Sequence, residues 1–236
     1  MSNFTSKIIN WTNSEFENIQ WGSNSAFQDI FGFVIGFAKE KKYLRILDLG
    51  CGDGGQWNWY FKNKESFDFS LDITGYEPFA NNATPSSSMD LDLIKIYNNL
   101  EEVLGKFDVV LCMSVLEHVY DRKKFLEDSY RFTESEGYSL INFDNGHFFN
   151  PKEWKRNIFG KFLAHRTPFK RYYQDFVDVD KIIKIAEDLG MSLDHYIDYH
   201  LFIDKHRLKL LNLCEPKVRA KLIDKIQNFE KEVSDI

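Results

Sequence analysis

The stretch Leu44-Arg45-Ile46-Leu47-Asp48-Leu49-Gly50-Cys51-Gly52-Asp53-Gly54-Gly55 is an apolar run that ends in a glycine cluster. Residues 45–49 are mostly branched and apolar, as a buried parallel strand requires, and 56–64 read as the helix that follows. Gly50 and Gly52 have no Cβ, so the turn between strand and helix can take positive φ and let a ligand approach the backbone closely. The free N–H groups of the following helical turn then face the same point. Together these features predict a nucleotide-type cofactor site.

Two kinds of cofactor use such a turn. Gly50-x-Gly52-x-x-Gly55 satisfies the dinucleotide fingerprint, and Glu77 ends the next strand, where a ribose-binding acid belongs. An NAD-dependent oxidoreductase is therefore one reading. Asp48 separates it from the other, because a carboxylate two residues before the first glycine suits a cationic ligand better than a pyrophosphate. Leu47-Asp48-Leu49-Gly50-Cys51-Gly52-Asp53-Gly54 resembles the first motif, Leu-Asp-x-Gly-x-Gly-x-Gly, of the class I, Rossmann-like S-adenosylmethionine-dependent methyltransferases.

The resemblance recurs downstream and in order. Gly75-Tyr76-Glu77-Pro78 resembles the second motif, with Glu77 placed to accept hydrogen bonds from the two ribose hydroxyls. Asn99-Leu100 loosely resembles the third, although an Asn in a plain turn explains it equally. The run from Phe107 through Met113 to Leu116-Glu117-His118-Val119 resembles the fourth, so the likeness spans about residues 44–145. It implies that Asp48, Gly50, Cys51, Gly52, Gly54, Glu77, Pro78, Asn99, Leu100 and Met113 surround S-adenosylmethionine. Some RNA-end methyltransferases of this class carry Glu-x-x-Glu-His here and bind a metal, but Ser114 stands at the first Glu, which argues against a metal site. His118 then either hydrogen-bonds within its turn or acts as a general base.

Strand and helix alternate from residue 44. Strands are expected at 71–77, 93–97, 107–113 and 138–143, which implies a parallel sheet covered by helices. The resemblance makes this an α/β, Rossmann-like, seven-stranded mostly parallel sheet with helices on both faces and a helical cap. Ligands of such sheets bind beyond the carboxyl ends of the strands. Asp48 with its glycines, Glu77, Asn98-Asn99, Met113-Ser114 and the segment from Asp144 to His147 all fall at those ends. His147 and Asp144 follow the fifth strand, where the family holds its methyl acceptor, so His147, His118 and Asp144 are the catalytic candidates. His165, His195, His200 and His206 lie in cap or distal segments.

The remaining chain supplies context. Ala26, Phe27, Ile30, Phe31, Val34 and Ala38 mark one face of a helix ending near Lys41, and the family's N-terminal segment, here with Trp11, Phe16 and Trp21, commonly lies over the cofactor. Between Pro151 and Arg171, seven basic residues face one acid, a net of +6 in a chain of −6. With Trp154, Phe159, Phe162, Phe169, Tyr172 and Tyr173 interleaved, this reads either as a cap that attracts an anionic acceptor or as a solvated helix face. A helix is expected at 178–189 before Gly190, an antiparallel strand at 192–203, its partner at 206–213, and a helix from Pro216 with Val218, Leu222, Ile226, Phe229 and Val233 on one face. That last helix packs on the body or pairs two copies into a homodimer.

The organisation expected is therefore a helical segment (1–43), a cofactor-binding core (44–150), a basic and aromatic cap (151–177) and the rest of the domain (178–236). No apolar run reaches the roughly 20 residues of a membrane span, and Met1-Ser2-Asn3-Phe4 has no signal pattern, so a cytoplasmic protein is expected. Cys51, Cys112 and Cys214 show neither disulfide nor zinc spacing. The expected activity is transfer of a methyl group from S-adenosylmethionine to a small anionic acceptor, foremost the oxygen of a phosphorylated or nucleotide-linked sugar. RNA is the other acceptor class, disfavoured by the acidic remainder of the chain and the lack of an RNA-binding module.

Overall fold

Burial on both faces makes Tyr43–Leu49 the central strand: from Ile46 onward every side chain is buried, and an interior parallel strand is the one place such a run is satisfied. This strand, β1, belongs to a computed structural model that describes residues 25–79, 94–144 and 175–196 and positions 215, 218, 221, 222, 225, 226 and 229. The chain divides into two compact units, Met1–Phe37 with Asp194–Ile236, and Ala38–Leu193. The sheet lies wholly in the second.

β1 pairs in parallel with β2 (Ser70–Tyr76) over its whole length, from Tyr43 opposite Ser70 to Leu49 opposite Tyr76. On its other side it pairs with β4 (Phe107–Met113), Asp48 lying opposite Leu111. β3 (Lys95–Tyr97) adds to β2, and β5 (Thr133–Asn142) to β4, giving the order β3-β2-β1-β4-β5 with every pair parallel. The chain crosses from one side of β1 to the other between β3 and β4, so the switch point lies between β1 and β4. This is the Rossmann-like α/β fold expected. Five strands lie among the described residues where seven were expected: residues 192–196 have no regular structure and leave Leu193 and Tyr196 exposed, and 197–213 lie outside the described residues.

The helices follow their end signals. α1 (Ser25–Lys41) is buried nearly all round between Asp29 and Ala38, since Phe33, Ile35 and Phe37 are buried along with the expected stripe. The single helix expected at 56–64 is broken. A 3-10 turn (Gly55–Trp57) leads into α2 (Asn58–Asn63), and a second 3-10 turn (Lys64–Ser66) follows. Asn63 Nδ2 donates to the Trp59 carbonyl (2.7 Å) and Ser66 Oγ to the Asn63 carbonyl (2.6 Å), so side chains compete with helix propagation there. α3 (Arg122–Phe132) starts at Asp121, which accepts from the Lys124 N–H. α4 (Val179–Asp188) starts at Asp178 and ends at Gly190, whose φ is 89°.

β5 begins five residues before the expected Tyr138. Thr133 already pairs with Phe107, and 134–137 then bulge out before Tyr138 meets Val109. Gly137 permits the bulge, because a Cβ there would lie 2.8 Å from the Asp108 carbonyl oxygen. The polar run Glu134-Ser135-Glu136 hides this strand start from any apolar pattern. Two clusters pack the layers: Leu47, Leu49, Val110 and Phe107 with Phe132, and Cys112, Leu116 and Leu126 with Val177 and Ile182. Of the expected helix after Pro216, the described positions are helical, yet Val218, Leu222 and Phe229 are exposed; Val233 lies outside the described residues. Among the described residues no helix is long and apolar enough to cross a membrane.

Candidate functional site

Because all five strands run the same way, their carboxyl ends form one edge, and the described predicted residues meet there. Gly50 (φ 85°) turns the chain out of β1, and its N–H and that of Cys51 both donate to the Tyr76 carbonyl at 2.7 and 3.1 Å. The glycine turn is thus fastened to the end of β2. Gly50 is required twice over: a Cβ would lie 2.5 Å from Val115 Cγ2 as well as demanding positive φ. Gly52 (φ 58°) differs, since an added Cβ would meet no atom of the described residues within 4 Å. Open space lies against its backbone, where a ligand can sit. Gly54 (φ 74°) heads the 3-10 turn, its N–H donating to the Cys51 carbonyl at 2.9 Å.

Asp48 is 1% exposed. Its Oδ2 accepts from Gln56 Nε2 (2.6 Å) and the Trp57 indole N–H (2.7 Å), while the buried Oδ1 has no hydrogen-bond partner among the described residues. Burial lifts this carboxyl from 3.8 to about 6 against the pull of those two bonds, and the charge of Glu77 adds to the rise. A buried carboxylate with one unsatisfied oxygen lacks a donor or a cation. Glu77 sits just past β2, its Oε2 accepting from the Gly52 N–H (3.2 Å) and its Oε1 from the Phe79 N–H (3.1 Å). It therefore bridges the glycine turn and its own loop, with lone pairs left for a diol. Pro78 beside it is exposed.

Other predicted residues take structural duties as well. The Cys51 side chain covers Gly75 of β2, where a Cβ would come within 2.6 Å of its Sγ, and burial pushes its thiol up, so it is an uncharged packing group. Asn99 caps a 3-10 turn (Leu100–Glu102), its Oδ1 accepting from the Glu101 N–H at 3.2 Å, which is the plain-turn arrangement. Leu100 packs against the first core cluster, and Met113 is buried. Ser114, next after β4, takes φ 56° and hydrogen-bonds Asn142 twice, N–H to carbonyl at 3.0 Å and Oγ to Oδ1 at 3.2 Å. A β-hydroxy residue held at positive φ at a strand's carboxyl end is a strained position of the kind functional edges carry. The local sequence points to Ser114 as a strand-end residue standing where a metal-binding Glu would, but not to its strained φ or to Asn142.

Glu117 is buried and the neighbouring His118 is exposed. His118 donates its backbone N–H to the Val115 carbonyl (2.8 Å) within the turn. Glu117 Oε1 accepts from the Asp144 N–H at 3.3 Å, and burial raises its carboxyl above the ordinary range. Asp144 follows β5 at the same edge. Among the described residues no group of three or more His, Cys, Asp or Glu side chains is placed to hold a metal ion. His147, His165, His200, His206, Cys214, Trp11, Phe16, Trp21 and the basic stretch 151–171 lie outside the described residues.

A parallel sheet whose switch point carries a glycine turn, a buried acid with a free oxygen and a second acid one strand away defines a nucleotide-type cofactor site. The chain belongs to the methyltransferase family described as "Methyltransferase domain", whose model matches residues 25–195, and this is a class I S-adenosylmethionine-dependent fold. The choice between cofactors made on Asp48 thus falls to S-adenosylmethionine and away from NAD. It is similar to the ubiquinone biosynthesis O-methyltransferase of a Ruegeria species, 26% identical over 63% of this chain and 60% of that protein. The protein of the same name from Psychrobacter arcticus is 26% identical over 81% of this chain and 73% of its own length. The chain thus spans about three fifths of the first of these relatives. The crystal structure of magnesium protoporphyrin IX methyltransferase from Synechocystis with bound SAH superposes with a TM-score of 0.43 at 17% identity, over 72% of this chain and 76% of that one.

Residues at the edge fit S-adenosylmethionine on their own evidence. The orphaned Asp48 Oδ1 needs a donor, the space against Gly52 is open, and Glu77 keeps acceptor capacity for a ribose.

Proposed function

We propose that this protein transfers a methyl group from S-adenosylmethionine to an oxygen of a small anionic molecule, in the cytoplasm. The observation that carries the cofactor half is the juxtaposition of the buried Asp48, the open backbone at Gly52 and the Glu77 carboxylate at one sheet edge. Oxygen as the acceptor atom is supported by the relatives' name, and the anionic character by the +6 stretch between Pro151 and Arg171.

S-adenosylmethionine supplies a methyl group on a sulfonium, an excellent leaving group. The chain's task is mainly to align acceptor, methyl carbon and sulfur and to exclude water. Asp48 would hold the cationic end of the cofactor and Glu77 its ribose, and the open backbone at Gly52 would let it lie close. A hydroxyl acceptor also needs a group to take its proton. His147 is first in that role by its position after β5, with His118 second and Asp144 as orienting or accepting group.

Incubating the purified protein with methyl-labelled S-adenosylmethionine and a panel of sugar phosphates, nucleotide sugars, hydroxyaromatic acids and RNA tests this reading. Label is expected in a small anionic hydroxyl compound. Label only in RNA or in amines would overturn the acceptor assignment.

A further inference from the structure

Glu117 occupies a position that the proposed reaction does not use, yet it touches both sides of one chain excursion. The described chain stops at Asp144 and resumes at Asp175. The Asp144 N–H donates to Glu117 Oε1 (3.3 Å), and the Asp175 N–H donates to the Glu117 backbone carbonyl (2.8 Å). Arg122, at the start of α3, holds the same return: its Nη2 donates to the Asp175 carbonyl at 2.8 Å, Nη1 to the Phe176 carbonyl at 2.7 Å and Nε to the Leu116 carbonyl at 3.3 Å. Val177 then enters the core, fully buried beside Leu116.

The division of labour is specific. The side chain of Glu117 holds the departure, while its backbone and the guanidinium of Arg122 hold the return. Glu117 is 2% exposed, and its Oε2 is buried with no hydrogen-bond partner among the described residues. A buried, incompletely satisfied carboxylate costs stability, and a hydrophobic side chain would fill the turn better were packing its only task. What the carboxylate adds is a fixed acceptor for the amide of Asp144, the residue that begins the acceptor side of the sheet edge.

We propose that Glu117 is a positioning residue for the acceptor side of the site, fixing Asp144 through its backbone N–H, with Arg122 independently fixing the return at 175–176. The assignment of an acceptor side rests on the methyl-transfer reading; the two anchors themselves do not.

Amide hydrogen exchange on the full chain with S-adenosylhomocysteine present, combined with calorimetric titration of S-adenosylhomocysteine, tests it in wild type, Glu117→Ala, Glu117→Gln and Arg122→Ala. Glu117→Ala is expected to speed exchange at 143–144 about five- to tenfold, the loss of one hydrogen bond to a charged or polar acceptor, with little change at 175–177. Arg122→Ala is expected to do the reverse. Glu117→Gln keeps an acceptor oxygen and should restore wild-type exchange at 143–144, and all variants should bind S-adenosylhomocysteine within about twofold of wild type. Faster exchange throughout β4 and β5, or no recovery in Glu117→Gln, would overturn the positioning role and leave a packing one. Failure of the wild type itself to bind S-adenosylhomocysteine would instead strike the methyl-transfer reading, while the exchange pattern would still decide the anchors.

Discussion

The indole N–H of Trp57 donates to Asp48 Oδ2 at 2.7 Å, across the glycine turn that separates the two residues, and Asp48 Oδ1 is left buried with no partner. One oxygen orients the carboxylate, and in the proposed site the other takes the cationic end of the ligand. The arrangement is costly without that ligand, and the cost depends on pH.

Burial raises Asp48 to about 6 from 3.8, so the folded chain binds this proton more tightly than the unfolded one. The associated stability is fully present below the unfolded value and is lost as pH rises through the folded value, a window of about pH 4 to 6. Urea unfolding of the ligand-free protein should therefore show Asp48→Asn gaining on wild type across that window. The gain should reach about 3 kcal/mol, since each pH unit between the two values is worth roughly 1.4 kcal/mol. S-adenosylmethionine affinity should run the other way in wild type, falling about tenfold for each pH unit below 6 as the carboxylate is neutralised. The variant should bind weakly and without that slope.

Gly50 and Gly52 should separate stability from binding. Gly50→Ala sets a Cβ 2.5 Å from Val115 Cγ2 at φ 85°, and is expected to lower unfolding stability by about 2–4 kcal/mol. Gly52→Ala meets no protein atom and has only its φ of 58° to bear, about 1 kcal/mol. Its Cβ intrudes on the open space, however, so Gly52→Ala should lose more cofactor affinity relative to its loss of stability than Gly50→Ala. Chemical denaturation and calorimetry on the same samples measure both quantities.

Glu77→Ala removes the acceptor of the Gly52 and Phe79 amides and the proposed ribose contact together. Cofactor affinity should drop by about 10- to 100-fold, the range for one to two charge-assisted bonds. Glu77→Gln should recover part of it, since an amide oxygen still accepts one of the two. Wild-type affinity in Glu77→Ala would sink the ribose assignment.

Much of the fold and of the candidate site is legible in the sequence because the determining signals are local. The run from Leu44 to Gly55 carries both the strand's burial and the turn's positive φ, and β4 matches its expected 107–113 because its apolar residues are contiguous. β5 starts five residues before its apolar pattern does, because its first part is a bulge of Glu134, Ser135 and Glu136, fixed by Gly137 against the Asp108 carbonyl, a tertiary contact with no periodic trace. The helix after Gly55 is shorter than its pattern because Asn63 and Ser66 turn back onto the backbone. The bonds that tie Ser114 to Asn142 and Arg122 to the chain at 175–176 leave no local mark for a similar reason: these partners lie 28 and 53–54 residues apart in the chain.

The acceptor assignment can be checked kinetically in two ways. Lys155→Glu combined with Arg156→Glu should raise the Michaelis constant for an anionic acceptor several-fold, leave cofactor affinity nearly unchanged, and lose its effect as salt is added. His147→Asn should slow turnover more than His118→Asn. If both histidine variants keep the wild-type rate and pH profile, the base lies elsewhere, and Asp144 is the next to test.

Whether the edge built by Asp48, Gly52 and Glu77 is an S-adenosylmethionine site is decided by calorimetric titration of S-adenosylmethionine and of NAD into the wild-type protein and the Asp48→Asn, Glu77→Ala double variant. One S-adenosylmethionine per chain is expected in wild type, none measurable in the double variant and no NAD in either. Binding of NAD, or S-adenosylmethionine bound equally well by the double variant, would contradict it.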